Sequence, residues 1–182
     1  MLNAAQQKEL LRIARESLTF YLEQGNMKSF SVDDEILQQK QGAFVTLKNK
    51  GALRGCIGYI VAVKPLYETV AEMAVNAGTK DTRFHSVTLE EMKDITIEIT
   101  VLTPFQKIKS VDEIEVGKHG LYIKMGFYSG LLLPQVATEY GWDRDEFLKH
   151  VCFKAGLPGD AWKKGAEIYL FSGQVFGEEE EK

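Results

Sequence analysis

The chain has 182 residues, of which 45% are hydrophobic and 26% charged, and its formal net charge is −4 at pH 7. This composition is ordinary for a globular protein made of one domain or of two small lobes. The closing residues EEEEK carry −3 of the charge, so the rest of the chain has little net charge and no basic bias. Because phosphate binding needs clustered lysine and arginine, these numbers argue against nucleic acid as a partner.

Hydrophobic periodicity and turn residues divide the chain into helices and strands. An amphipathic helix is predicted over residues 4–24, and an irregular connection follows it to residue 41. The later elements are predicted as strands at 42–47 and 52–60, a helix at 65–77, strands at 94–104, 120–125 and 130–134, a helix from 143 to about 155, and a strand at 166–176.

Two strands followed by a helix occur twice. In the first half a hairpin turn ends at Gly51 and the helix ends at Ala77-Gly78. In the second half the turn is predicted to end at Gly130 and the helix at Ala155-Gly156. This similarity favours a duplicated β-β-α unit. The alternative is a coincidence, since a hairpin followed by a helix is a common pattern. Hairpins imply antiparallel pairing, so we predict an α+β fold with a mixed, mainly antiparallel sheet.

The predicted organisation is a single domain over residues 1–182. Its first half covers about 26–80 and its second half about 94–176, with the helix at 4–24 packed on the core. Residues 177–182 are predicted to form a disordered acidic tail.

Two cysteines, Cys56 and Cys152, form no CxxC pair, and the three histidines have no ligand spacing relative to them. We therefore predict no disulfide framework and no metal site, and the sequence contains no cofactor-binding motif. Cys152 lies on the apolar face of a predicted helix and is read as structural. The N-terminal segment does not resemble a signal peptide, and no apolar run has membrane-spanning length, which together indicate a cytoplasmic location.

The segment LRGCIG, residues 53–58, is the strongest candidate for chemistry. Side chains alternate along a strand, so Arg54 and Cys56 are predicted to share the face turned away from the apolar residues. A guanidinium beside the sulfur would favour the thiolate, and Gly55 and Gly58 would clear space for a ligand or another chain segment. Alternatively, the cysteine is a small buried hydrophobic residue and the glycines mark a bulge.

Further candidates lie outside this segment. Glu98, in the middle of a strand, either faces water or lines the same cavity as the thiol, as a proton acceptor or arginine partner. Asp81 and Arg83 belong to a DTRF loop that either closes over a pocket or forms a surface ion pair. Gln135 follows Pro134 at a predicted helix start, which either binds an anion or is simply capped.

Motifs from one known family occur in order along the chain. They are LRGCIG (53–58), DTRF (81–84), ITVLTP (99–104), GLLLPQVA (130–137), GWD (141–143) and KAGLP (154–158). Over roughly residues 8–176 the chain therefore resembles the AMMECR domain family, whose prokaryotic members are called AmmeMemoRadiSam system protein A. His85-Ser86 depart from the proline-rich residues that often follow the DTRF segment in that family.

The resemblance implies a two-lobed α+β fold with related, intertwined halves. It places the signature arginine and cysteine of the family at Arg54 and Cys56. It also implies a Memo-type protein and a radical SAM protein as partners, but it implies no reaction, since the family is described as uncharacterised.

Two functions are compatible with these residues. In the first, the chain is an enzyme or an enzyme subunit, with Cys56 as nucleophile or hydrogen donor, Arg54 as its activator and Glu98 as acid or base. In the second, it is a non-catalytic module whose arginines and backbone N–H groups bind a small anionic ligand or a partner peptide.

Overall fold

The computed structural model describes residues 1–178, which form two compact units. Of the described residues, the first unit comprises Met1–Leu102 together with residues 174–178, and the second comprises Thr103–Gly173. Among the described residues, no helix combines the length and the apolar character needed to cross a bilayer. The cytoplasmic location stays a prediction.

The helices and strands largely follow the sequence pattern. The expected final strand is divided into two, and a short additional strand lies at residues 106–107. The elements in chain order are α1 Ala4–Gln24, β1 Ala43–Asn49, β2 Ala52–Tyr59, α2 Leu66–Thr79, β3 Ile95–Leu102, β4 Gln106–Lys107, β5 Gly120–Met125, β6 Tyr128–Leu132, α3 Pro134–Glu139, α4 Arg144–Lys154, β7 Glu167–Phe171 and β8 Gly173–Gly177.

The first unit contains a four-stranded sheet in the order β2-β1-β3-β8. Strand β1 is antiparallel to both β2 and β3. Helix α1 begins with a capping box between Asn3 and Gln6 and ends at Gly25, which adopts a left-handed conformation. Apolar side chains of α1, α2 and one face of the sheet form a single core, which includes Leu47 and Ile97.

The second unit contains a sheet in the order β4-β7-β5-β6, and the pairs formed by β5 with β6 and β7 are antiparallel. Asp143 caps α4 by accepting a hydrogen bond from the backbone N–H of Glu146. The core of this unit includes Ile123, Phe147 and Cys152. The α+β class with mainly antiparallel sheets is therefore confirmed.

The two units repeat one arrangement of hairpin, helix and third strand. Leu47 of β1 pairs with Gly55 and Ile97. In the second unit Ile123 of β5 takes the same place and pairs with Gly130 and Ile168. A Cβ atom on Gly55 would lie 2.1 Å from the carbonyl oxygen of Ala77 at the end of α2. A Cβ on Gly130 would likewise lie 2.5 Å from the backbone nitrogen of Ala155, which follows α4.

This geometry corrects the alignment of the halves. Gly130 lies within β6 and corresponds to Gly55, so it does not end a turn as Gly51 does. The turn of the second hairpin contains Gly126, which has a φ of 60°. The glycines matched by sequence spacing were therefore not equivalent, although the duplication that they suggested is present.

Each repeat contains four strands in chain order, β1–β4 and β5–β8, and the last strand of each repeat joins the sheet of the other repeat. Strand β4 follows β3 but pairs with β7, and β8 follows β7 but pairs with β3. The halves are thus intertwined in their connectivity. Strand β3, which the expected boundary at residue 94 placed in the second half, belongs to the first unit because it pairs with β1.

The start of the expected acidic tail is ordered. Gly177 ends β8, and the Glu178 carboxylate lies 2.5 Å from the Arg15 guanidinium and accepts a hydrogen bond from the Ile97 N–H. The ion pair with Arg15 and the end of β8 hold Glu178 in place. Composition alone did not indicate this ordered position. The expected disorder of residues 179–182 lies outside the described residues.

We expect Gly55→Ala and Gly130→Ala each to lower the free energy of unfolding by about 2–3 kcal/mol, because the added methyl group collides with helix backbone. Gly25→Ala is the control. Its Cβ meets nothing within 4 Å, so only the left-handed backbone opposes it, at about 1 kcal/mol. Urea denaturation measures all three, and equal losses for Gly55→Ala and Gly25→Ala would contradict the proposed close packing.

Candidate functional site

Three side chains cross the first sheet in register and define what we call the cysteine row: Cys56 of β2, Thr46 of β1 and Glu98 of β3. Residues directly opposite each other in a sheet share a face, so these side chains lie on one surface. That surface is turned away from α2, because the neighbouring Gly55 faces the helix. Cys56 is partly exposed, and its sulfur accepts a hydrogen bond of 3.2 Å from the Thr46 hydroxyl.

Asp81 lies in the loop that follows α2 and connects this loop to β2 next to Cys56. Its carboxylate accepts a hydrogen bond of 3.0 Å from the backbone N–H of Cys56. It also accepts bonds from the backbone and guanidinium of Arg83, the shortest being 2.7 Å. The hydrogen bond with Arg83, assisted by the Cys56 N–H, lowers the pKa of Asp81 well below its usual range. The Asp81 side chain is 7% exposed, so this anion is held largely out of water.

Arg83 is the cation that Asp81 holds next to the backbone of Cys56. The hydrogen bond that Arg83 donates to Asp81 raises the pKa of Arg83, and Cys56 in its thiolate form makes a smaller electrostatic contribution in the same direction. The Arg83 side chain is 56% exposed although its Nε and one terminal nitrogen bind Asp81. It therefore has surface left for a ligand.

Arg54 has a different partner from the one expected. The register of β1 and β2 shifts between Leu47 and Lys48, which leaves Arg54 unpaired in a bulge. Its guanidinium binds both carboxylate oxygens of Glu91, at 3.0 and 3.2 Å. Contrary to the prediction that it activates Cys56, Arg54 is committed to an ion pair.

The loop after α2 supplies the remaining contacts of Arg54. The carbonyl oxygens of His85 and Ser86 accept hydrogen bonds of 2.8 and 3.4 Å from its guanidinium. These are backbone groups, which explains how His85-Ser86 serve here in place of proline-rich residues. Arg54 thus holds the loop in position.

The two glycines of the motif provide packing space, which corrects their expected role beside a ligand. A Cβ on Gly55 would strike the end of α2, as described above. A Cβ on Gly58 would lie 2.4 Å from the ring of Phe44 and 2.6 Å from the carbonyl oxygen of Ala43. Both spaces are therefore filled by protein.

Glu98 and Gln135 have different surroundings. The Glu98 carboxylate lies 2.9 Å from the Lys48 ammonium, and the two side chains are 34% and 36% exposed. Glu98 is thus a member of the cysteine row whose cationic partner is Lys48 rather than Arg54. Gln135 is exposed near the start of α3 in the second unit, and its role in ligand binding stays a prediction.

Sequence reasoning did not single out Thr46, Lys48 or Glu91. Their partners are distant in sequence, and only the pairing of β1 with its neighbours shows that Thr46 stands beside the thiol. A shallow cavity of about 430 Å³ next to the site is lined by Arg54, Thr82, Arg83, Phe84 and His85. Within residues 1–178, no group of three or more histidine, cysteine or acidic side chains is arranged to hold a metal ion.

We expect Asp81→Asn to lower the free energy of unfolding at pH 7 by about 1–2 kcal/mol, because an amide accepts fewer hydrogen bonds than the carboxylate. The lowered pKa of Asp81 stabilises the fold above the ordinary value of 3.8, and this stabilisation is lost as the pH falls toward the folded-state pKa. The difference in the free energy of unfolding between wild type and Asp81→Asn should therefore be constant above about pH 5 and should become smaller below about pH 4.

Thermal denaturation of both proteins from pH 7 to pH 2.5 tests this expectation, since the other carboxylates titrate equally in each. A difference that stays constant down to the lowest pH would contradict a linkage through Asp81.

Comparison with known proteins identifies a family. A family model described as AMMECR1 matches residues 11–176. A protein from Methanococcoides burtonii is 45% identical over 186 residues, covering 99% of this chain and 92% of the relative. Protein MJ0810 from Methanocaldococcus jannaschii is 48% identical over 155 residues, covering 80% of this chain and 77% of the relative. The crystal structure of uncharacterized protein PH0010 from Pyrococcus horikoshii matches with a TM-score of 0.84 and 40% identity, over 95% of this chain and 91% of that one. The predicted resemblance is confirmed, and the chain belongs to the AMMECR1 family.

Proposed function

We propose that this chain is a cysteine-dependent enzyme, or the cysteine-bearing subunit of one, and that Cys56 is its reactive group. The observation that carries the proposal is the hydrogen-bonded pair of Thr46 and Cys56, flanked on one side by the Asp81–Arg83 pair and on the other by Glu98. A partly exposed thiol with a hydroxyl donor and a nearby guanidinium has the surroundings typical of reactive cysteines.

Each group has a distinct task in this proposal. The Thr46 hydroxyl donates to the sulfur and so stabilises negative charge there. Arg83 supplies positive charge and binds an anionic substrate through its exposed surface. Glu98 takes up or returns a proton, with Lys48 holding its carboxylate in place. Cys56 acts either as a nucleophile, through its thiolate, or as a hydrogen donor, through its S–H bond.

We propose a Memo-type protein and a radical SAM protein as the partners with which the enzyme acts. The support is the family resemblance described above. A hydrogen donor would suit a radical partner, because a thiol that gives up a hydrogen atom quenches a substrate radical and becomes a thiyl radical. Co-purification of each partner with wild type and with Cys56→Ser would test the association separately from the chemistry.

A non-catalytic binding module is the second candidate. The cavity beside Arg83 and Phe84 favours it, because the exposed guanidinium of Arg83, which lies over the Phe84 ring, can bind a small anion without chemistry. In this alternative Cys56 only fills space.

We expect iodoacetamide to alkylate Cys56 in the folded protein and to leave Cys152 unmodified. Cys152 is fully buried, and that burial raises the pKa of its thiol. Arg83→Ala should slow the alkylation of Cys56 about threefold or more at pH 7, because the proposal gives Arg83 the task of supplying positive charge near the thiol. Peptide mass spectrometry gives both rates.

Arg12→Ala is the matched control, since Arg12 also forms ion pairs with carboxylates but lies on the exposed side of α1. It should leave the rate unchanged. A folded protein in which Cys56 resists alkylation would overturn the enzyme proposal.

Cys56→Ser distinguishes the two candidates in the cell. We expect it to abolish rescue of a strain from which the chromosomal copy has been deleted, because serine is a far weaker nucleophile and hydrogen donor than cysteine. Cys152→Ser is the control for a general effect of losing a thiol. Full rescue by Cys56→Ser would favour the binding module.

A further inference from the structure

A second cavity in the first unit is formed by the end of α1, the segment 27–30 and one side of α2, and we call it the helix groove. It has a volume of about 530 Å³. Its lining comprises Tyr21, Met27, Lys28, Ser29, Phe30, Lys64, Tyr67, Glu68, Ala71, Glu72, Val75, Asn76 and Lys80. Since α2 covers the face of the sheet opposite to Cys56, the helix groove is separate from the cysteine row.

Six of the thirteen residues that line the helix groove are apolar or aromatic, and the other seven are polar or charged. Ala71 and Val75 of α2 are almost fully buried at its floor. Phe30 and Tyr67 stand at its sides and are partly exposed. The volume is that of a small-molecule site, and apolar and polar groups line the helix groove side by side.

Most of the charged groups in the helix groove are already paired. Lys28 binds Glu16 at 2.7 Å. Lys64 binds one carboxylate oxygen of Glu72, and the Tyr59 hydroxyl donates to the other. These lysines therefore add little unbalanced positive charge. The exposed Glu68 carboxylate, which accepts a hydrogen bond from the Tyr67 hydroxyl, adds one negative charge to the lining.

Lys80 and Asn76 are different. Among residues 1–178, neither side chain takes part in an ion pair or a side-chain hydrogen bond; Lys80 lies near Glu72, whose oxygens are both occupied. The two residues are four positions apart at the end of α2, which places them on one face about one turn apart. They bring an ammonium and an amide donor to the lining of the helix groove.

We propose that the helix groove binds a small organic anion with an apolar body. The apolar part packs between Phe30, Tyr67 and Val75, and the carboxylate or a similar group accepts hydrogen bonds from Lys80 and Asn76. Both requirements act together, so neither a simple inorganic anion nor an uncharged hydrocarbon satisfies the site.

Octanoate and inorganic phosphate are the probes. Octanoate added to the full-length ¹⁵N-labelled protein should shift the amide resonances of residues 21–30 and 67–80, the two segments that contain most of the lining of the helix groove. These shifts should reach a plateau as the octanoate concentration rises. Lys80→Ala should weaken octanoate binding about tenfold, since a charge-assisted hydrogen bond is lost, and Lys80→Arg should restore it. Lys8→Ala, which removes an exposed lysine of α1 outside the cavity, should leave the affinity unchanged.

Three results would overturn the proposal. These are no saturable shift with octanoate, equal weakening by Lys80→Ala and Lys8→Ala, and phosphate binding as tight as octanoate binding. The readout does not involve Cys56, so it stands apart from the proposed enzyme activity.

Discussion

The buried carboxylate of Asp81 is the interaction on which the candidate site depends. It accepts hydrogen bonds from the backbone N–H of Cys56 and from the guanidinium of Arg83 at the same time, so one anion fixes both the strand that carries Cys56 and a cation. Arg54 reinforces the same loop by donating hydrogen bonds to the carbonyl oxygens of His85 and Ser86. A buried anion is tolerated only when it is paired and hydrogen-bonded, and this one has both kinds of partner. The loop and the LRGCIG strand therefore act as one structural unit.

The duplicated framework shows where the chemistry has been added. The positions that correspond to the cysteine row in the second unit are occupied by Tyr122, Leu131 and Tyr169. None of these is a thiol or a carboxylate, and Tyr122 and Tyr169 pack against each other at 5.8 Å. The close approach of helix to sheet at Gly55 and Gly130 is common to both units. The helix packing is thus a property of the repeated fold, whereas the thiol and the carboxylate of the cysteine row have no counterpart at the equivalent positions of the second unit.

The sequence allowed much of the fold to be predicted and less of the site. Helix α1, both hairpins and the α+β class followed from local periodicity and turn residues, which need no knowledge of distant contacts. The role of Arg54 did not follow, because a bulge of one residue changes the register of β2. A regular hairpin closed at Lys50-Gly51 would place Cys56 opposite Val45, and the bulge places it opposite Thr46. The pairing of Arg54 with a residue 37 positions away was equally invisible to strand alternation.

The central proposal is that Asp81 positions Arg83 so that its charge acts on the Cys56 thiol, and a double-mutant cycle on the alkylation rate tests it most directly. The rates of Cys56 would be measured in wild type, Asp81→Asn, Arg83→Ala and the double variant at pH 7. If Asp81 acts by positioning Arg83, the double variant reacts no more slowly than Arg83→Ala alone. Fully additive effects of the two substitutions would show that the two residues act on the thiol independently, and would contradict the account.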